Sequence, residues 1–494
     1  MAITWTLTTI LCWASVSYGH GEITTRTRLG QITGIRRTVL DNDLFEFRKI
    51  PFAKAPVGEL RFERPIPYGP WKGTLDGTKF GTSCYQERSF LRGLINNNIS
   101  EDCLFLNVYV PFNISLNDKK SVMIWIHGGS YSRGQGTYYD GSHLAITGNV
   151  IVVTINYRLN IFGFLSIDAI KGNYGLWDQI MAIQWVKDNI ASFGGNSQSI
   201  TIFGESAGGF SVGLLSIIPK NRGLFQRAIL QSGVAISSYS VMYMTNLTST
   251  AIAGYLSCTK TNPIVQCLKN RSASEIYALV SKFKQPNALS LPWAPVIDGE
   301  LLPTDPLTLL KNTSSDASAF FQSLDVIIGT VSGESSLLIY ILKALEKQLK
   351  VNITGGIPKR ILTDFLVPQI TNVCCSNSLH VASAINNQYG QSSDIIGQTE
   401  NILDAYSDFL FDTPAIQSLH LHSGNKRGRQ FHYVFSKEPP FPLYEELPSW
   451  FQRSEHGADT IFEFPQSNKN NLSTINMELS KNFMKYWTNF ARTG

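Results

Sequence analysis

The sequence predicts an α/β fold, with a large central mostly parallel sheet flanked by helices, and two observations carry that reading. From Ser121 onward, six short runs rich in Val, Ile and aromatic residues are each stopped by Gly, Asn or Ser: SVMIWIHGG, NVIVVTINY, SITIFGES, RAILQSG, LDVIIGT and QFHYVFS. Each has the length and composition of a buried strand. Between them lie helix-like stretches, Leu176 to Phe193, Ala207 to Ile218 and Glu334 to Lys350, and strands crossed over by helices assemble into a parallel sheet.

The elements follow in order. Residues 1–19 run through an apolar stretch, Ile3 to Val16, into the small residues Ser15, Ser17 and Gly19, which suits a cleaved secretory signal. The Pro-rich FAKAPVGELRFERPIPYGPW reads as short antiparallel strands and loops. The remainder, 20–494, shows no internal repeat or separating linker and is expected to be one domain. Composition is that of a folded chain, 43% hydrophobic and 16% charged. The formal charge of +5, with one small basic cluster at Lys426, Arg427 and Arg429, is too diffuse for nucleic acid and reads as a solvated loop. No other segment reaches the ~18 uninterrupted apolar residues of a membrane span.

Secretion agrees with two further features. Sequons stand at Asn98, Asn113, Asn246, Asn270, Asn312, Asn352 and Asn471. With Cys12 in the leader, the spacings from Cys84 to Cys103 and from Cys258 to Cys267 read as two local disulfide loops, and nothing has zinc-ligand spacing. Cys374 and Cys375 are adjacent, and adjacent cysteines seldom bond to each other. Their partners stay open.

The sharpest motif is Gly204-Glu205-Ser206-Ala207-Gly208-Gly209, between the strand-like SITIF and the apolar SVGLLSII. A G-x-S-x-G turn between strand and helix lifts its serine clear of the sheet and sets it at a helix N-terminus, where developing negative charge is favoured. An activated serine also needs donors for the oxyanion, each worth ~3–4 kcal/mol. Ile126-His127-Gly128-Gly129-Ser130-Tyr131 is the natural supplier at the end of an earlier strand, with the N–H of Ala207 completing the set.

A serine hydroxyl needs a base, and in this arrangement the chain order is Ser, acid, His. His380, His420, His422, His432 and His456 are candidates, of which His456, beside Gly457 in a long loop after the last strand, is best placed. For the acid, Asp298, Asp325 and Glu334 are possible. Glu334 alone lies just past the C-terminal end of a strand, the edge at which such sheets assemble their sites.

These residues, with FRKIPFAKAPVGELRFERP, SEDCLFLNVYVP, NYRLNIFGFLS, GNYGLWDQIMAIQWVKDNIASFGGN, VIDGELLP, SEHGADTIFEF and FMKYWTNFARTG, resemble the type-B carboxylesterase and cholinesterase-like family from about Thr24 to the last residue. The resemblance implies the α/β-hydrolase fold and a triad of Ser206, Glu334 and His456. It also implies an oxyanion hole from the loop at Gly128, Gly129 and Ser130 with Ala207, disulfides Cys84–Cys103 and Cys258–Cys267, an Arg61–Glu101 ion pair, and an acid, Glu205, beside the nucleophile. It calls for no metal or cofactor, only a small-molecule ester, and leaves the quaternary state open.

Departures from the family's pattern are Lys49 and Ser130 at positions usually held by glycine, and a chain that ends at Gly494, short of a usual C-terminal segment. Cholinesterases enclose a quaternary ammonium with aromatic faces. The first disulfide loop here offers Tyr85 and Phe90 but no Trp, and Leu337 and Leu338 follow the acid. The expectation is a secreted esterase for neutral esters, with a choline-ester hydrolase and a non-catalytic neuroligin-like adhesion protein as alternatives.

Overall fold

The computed structural model describes residues 21–86, 98–112, 119–167, 172–242, 245–258, 264–280, 282, 289–425, 427–444, 447–465 and 473–494. The leader with Cys12, the sequons at Asn113 and Asn471, and Phe90 lie outside them.

Eleven strands form one sheet: β1 (Glu22–Arg26), β2 (Gln31–Val39), β3 (Asn42–Pro51), β4 (Thr74–Asp76), β5 (Phe105–Pro111), β6 (Lys120–Ile126), β7 (Ile151–Ile155), β8 (Gly195–Glu205), β9 (Arg227–Gln231), β10 (Asp325–Val331) and β11 (Gln430–Phe435). Their order is β1-β2-β3-β5-β7-β6-β8-β9-β10-β11, with β4 beside β2. The first five in that order pair antiparallel and everything from β7 through β11 runs parallel, so the sheet is mixed, with the expected parallel body.

The reason that body reads as apolar runs is burial on both faces. Along β6, Val122, Ile124 and Ile126 pack into one core layer while Met123 and Trp125 pack into the other, the two-residue period of a strand. One layer is closed by helices Tyr174–Asn189 and Ala207–Ser216, the other by Ala458–Glu463 and the C-terminal helix Thr474–Thr493. In that last helix Phe483, Trp487 and Phe490 recur at helical spacing and turn inward.

The expected helices appear, with Leu176 to Phe193 split into Tyr174–Asn189 and a 3-10 turn Ile190–Phe193 ended by left-handed Gly194. One expected strand differs. QFHYVFS is the sheet edge and not a buried strand: β11 has only β10 as neighbour, and Phe431 and Val434 are 48% and 56% exposed.

Disulfides join Cys84 to Cys103 and Cys258 to Cys267. The expectation for the adjacent cysteines is corrected, because Cys374 and Cys375 are joined to each other. They are the last two residues of helix Val367–Cys375, which the chain leaves through left-handed Ser376 and Asn377.

Two ion pairs staple loops to the frame. Arg61 grips Glu101 through two 2.6 Å contacts, and its Nη1 donates to the carbonyls of Leu268, Lys269 and Arg271. Arg158, just after β7, donates to Asp178 from its backbone N–H at 3.0 Å and from Nε and Nη2 at 2.8 Å, with both side chains buried. Removing one member would strand a buried charge. Asp178→Ala should therefore destabilise the fold by about 3–5 kcal/mol, seen as a lowered urea midpoint at unchanged slope; an unshifted midpoint would refute this role.

Candidate active site

Ser206 lies at the turn from β8 into helix Ala207–Ser216, with φ 58° and ψ −124°, a strained conformation for a residue with a side chain. Close packing holds it there. A Cβ on Gly204 would come within 2.5 Å of the Ile126 carbonyl oxygen, and one on Gly208 within 2.0 Å of the same atom, so both flanking positions require glycine. The Ser206 N–H donates to the Gln231 carbonyl at 2.9 Å. Ala207 follows as the first helical residue, whose N–H has no intrahelical acceptor.

The loop after β6 approaches from the adjacent strand. Ser132 and Arg133 both return their N–H groups to the Gly129 carbonyl, at 3.0 and 3.1 Å, around left-handed Gly129, Ser130 and Tyr131. Among the described residues, the N–H groups of Gly129 and Ser130 donate to no protein acceptor, and Gly128, Gly129 and Ser130 line the same cavity as Ser206. His127 is packing: it is fully buried, stacks on Tyr157 at 4.4 Å, and donates from Nδ1 to the Gly128 carbonyl at 2.8 Å. Burial pushes its pKa down to about 4.

Of the candidate bases, His456 is the one that lines this cavity. His422 is bound to the Leu324 carbonyl, His432 is on the edge strand β11, and His380 and His420 are on exposed helix positions. Glu334 sits three residues beyond β10, fully buried, with Oε1 accepting the Val331 N–H at 3.0 Å and Oε2 hydrogen-bonded to His456 Nδ1. The rival acids are engaged elsewhere, Asp298 with Asn173 and Asp325 with Arg429. A bridge from Gly333 to Glu455 and the His456 N–H on Ser336 Oγ, 2.9 Å, bring the loop to its acid.

With the proton on Nδ1 assigned by Glu334, Nε2 is the basic nitrogen. It lies 3.1 Å from Glu205 Oε1, and neither atom makes a hydrogen bond among the described residues. Burial disfavours the imidazolium, but the charges of Glu205 and Glu334 outweigh it and raise the His456 pKa to about 9. Glu205 is pushed up to about 8, first by burial, with His456 opposing and Asp459 and Glu334 adding. Behind them Asp459 accepts from Gln231 Nε2 at 3.1 Å and from the Tyr433 hydroxyl at 2.7 Å.

The cavity wall corrects the expected lack of aromatic surface. Six tyrosines line it: Tyr138, Tyr139, Tyr239, Tyr340, Tyr406 and Tyr444. On helix Ser336–Leu349 the facing residues are Leu337, Tyr340 and Ile341, one stripe at helical spacing, while Leu338 is turned into the core. Tyr85 is also turned away, against Phe162 and Tyr277. Arg133, Gln86 and all six tyrosines went unrecognised in the sequence. Arg133 stands two residues past the Ile126–Tyr131 motif; the tyrosines come from distant segments and carry no local signal.

The sheet, its crossovers and the serine turn define an α/β hydrolase. The chain belongs to the Carboxylesterase family, which it matches over residues 21–494. It is 34% identical to acylcarnitine hydrolase of Mus musculus, over 95% of this chain and 82% of that protein. It is 34% identical to acetylcholinesterase of Bungarus fasciatus, over 99% and 82%, and 32% identical to neuroligin-2 of Mus musculus, over 95% and 60%.

The electrostatics give a direct test. His456 should titrate above pH 6.5, and Glu205→Gln, by removing one adjacent negative charge, should move that titration to lower pH. The downfield Nδ1 proton resonance of His456 reports both; an unmoved titration in the variant would show that Glu205 does not act on the ring.

Proposed function

We propose that this chain is a secreted serine carboxylesterase acting through an acyl-enzyme, with residues 20–494 as one catalytic unit. The observation that carries the reading is the buried Glu334–His456 hydrogen bond, which orients Nε2 in the cavity shared by Ser206 and the Gly129–Ser130 loop. Ser206 Oγ attacks the ester carbonyl carbon while His456 Nε2 takes its proton. The oxyanion is met by the N–H groups of Gly129, Ser130 and Ala207, with Gly128 shaping the loop. Collapse breaks the ester bond, and His456 protonates the leaving alcohol. Water, deprotonated in turn by His456, releases the acid and restores the serine.

Secretion and glycosylation are part of the proposal, supported by the leader-like start and by sequons at Asn98, Asn270, Asn312 and Asn352, all on exposed positions. Among the described residues no helix is long and apolar enough to cross a membrane.

A non-catalytic adhesion role, suggested by the neuroligin-2 similarity, would not require the assembled Ser206, Glu334 and His456. A fluorophosphonate probe should label the secreted protein at Ser206. Ser206→Ala and His456→Ala should each lower kcat by about 10⁴-fold or more while keeping the fold, with Glu334→Gln costing less. Wild-type turnover in Ser206→Ala would end this reading.

The choline-ester alternative gains from the tyrosine wall, because aromatic faces attract a quaternary ammonium. Arg133, on the same wall, repels one. Nitrophenyl butyrate should exceed butyrylthiocholine in kcat/KM by roughly tenfold relative to a true cholinesterase; equal ratios in the two enzymes would favour the alternative.

A further inference from the structure

We propose that the Cys374–Cys375 bond is a site of reversible thiol–disulfide exchange, open to small thiols and disulfides of the glutathione type, while the other disulfides hold the fold. The site is separate from the ester chemistry and does not depend on it.

The disulfides differ in what they restrain and in what can reach them. Cys84–Cys103 and Cys258–Cys267 join residues 19 and 9 positions apart, and Cys84, Cys103 and Cys258 are at most 3% exposed. The restraint that a cross-link places on the unfolded chain grows with the loop it closes, so a bond between neighbours restrains it least and can open at little cost to the fold. Access differs as well. Cys374 is exposed and Cys375 half-buried at the end of helix Val367–Cys375, and exchange requires an open path to a sulfur. Between Asp364 and Asp394 the chain has no Asp or Glu, so an incoming thiolate meets no carboxylate from this segment.

Backbone hydrogen bonds hold the turn that carries the pair. The N–H groups of Ser376 and Asn377 both donate to the Thr371 carbonyl, the second at 2.9 Å, and the Ser378 N–H donates to the Cys375 carbonyl at 3.0 Å. Ser378 Oγ then accepts the Val381 N–H and caps the next helix, Leu379–Tyr389. With these bonds in place the two sulfurs stay neighbours after reduction. A thiolate attacks exposed Cys374 Sγ, the S–S bond breaks, and its electron pair leaves on Cys375 Sγ, which takes a proton. A second small thiol displaces the first from Cys374, so that two small thiols become one disulfide as the protein gains two protons and two electrons. In the reverse direction Cys375 expels the small thiol from Cys374, and its proximity makes that step faster than attack by a separate molecule.

The test is to equilibrate the native full chain in graded mixtures of reduced and oxidised glutathione, quench it with acid, alkylate free thiols and map the peptides. Cys374 and Cys375 should become alkylated together at ratios that leave Cys84, Cys103, Cys258 and Cys267 bonded. Returning the protein to oxidised glutathione before the quench should remove that label. Cys375→Ser lacks the neighbour that expels the small thiol, so in oxidised glutathione its Cys374 should hold roughly tenfold more mixed disulfide than the wild type. Phenylarsine oxide, which condenses with two neighbouring thiols to a cyclic dithioarsenite and water, should be retained by the reduced wild type and not by Cys375→Ser. The proposal is overturned if the pair stays bonded until the other disulfides open, if both cysteines alkylate without any reductant, or if the variant matches the wild type in glutathione uptake or arsenical retention. Thermal midpoints identify a variant that does not fold, in which case the order of reduction in the wild type decides.

Discussion

The arrangement depends on one close backbone approach, where β6, β8 and the following helix meet. Ile126 and Gly204 are paired in register, and the Ile126 carbonyl leaves no room for a side chain at Gly204 or Gly208. The residues that follow each strand therefore leave the sheet at the same place. One exit carries the Gly128–Ser130 loop and the other carries Ser206, which is why they share a cavity although nearly eighty positions separate them. A methyl group at either glycine would push the strands apart and dissolve that coincidence.

Charge burial is the second constraint. Glu334 and Asp459 are fully buried, and Glu205 and His456 nearly so. Desolvation alone would make four ionised groups in this space very unfavourable. The structure manages the cost by pairing: His456 stands between two carboxylates, while Asp459 is held by Gln231 and Tyr433. Glu463, one helical turn beyond Asp459, has both oxygens without a hydrogen-bond partner among the described residues, and its pKa is raised well above the usual carboxylate range by burial. Asp459 and Glu205 add to that rise and Gln231 opposes it, so the surroundings favour the neutral form of Glu463.

The parallel sheet puts the ends of β6, β8 and β10 on one edge, and the parts of the site are distributed along that edge. Short exits, like the three residues from β10 to Glu334, keep side chains close to the rigid frame. Long ones, like the path from β11 to His456, need an anchor, supplied here by the Gly333–Glu455 bridge and Ser336. Rigid placement of Glu334 and of the His456 loop is what allows a single imidazole orientation.

Much of this was legible in the chain. Five of the six strands from Ser121 onward announced themselves because burial on two faces demands unbroken apolar runs, and the serine turn because only small residues fit beside it. Both are local constraints, so they leave local marks. What the sequence could not contain was mutual position. That β11 is an edge, that Leu337 faces the cavity while Leu338 faces the core, and that tyrosines from five separate segments and Arg133 share a wall are consequences of packing between elements far apart in the chain. Apolar pattern specifies which side of an element is buried; only the tertiary contacts decide what each remaining side chain is buried against.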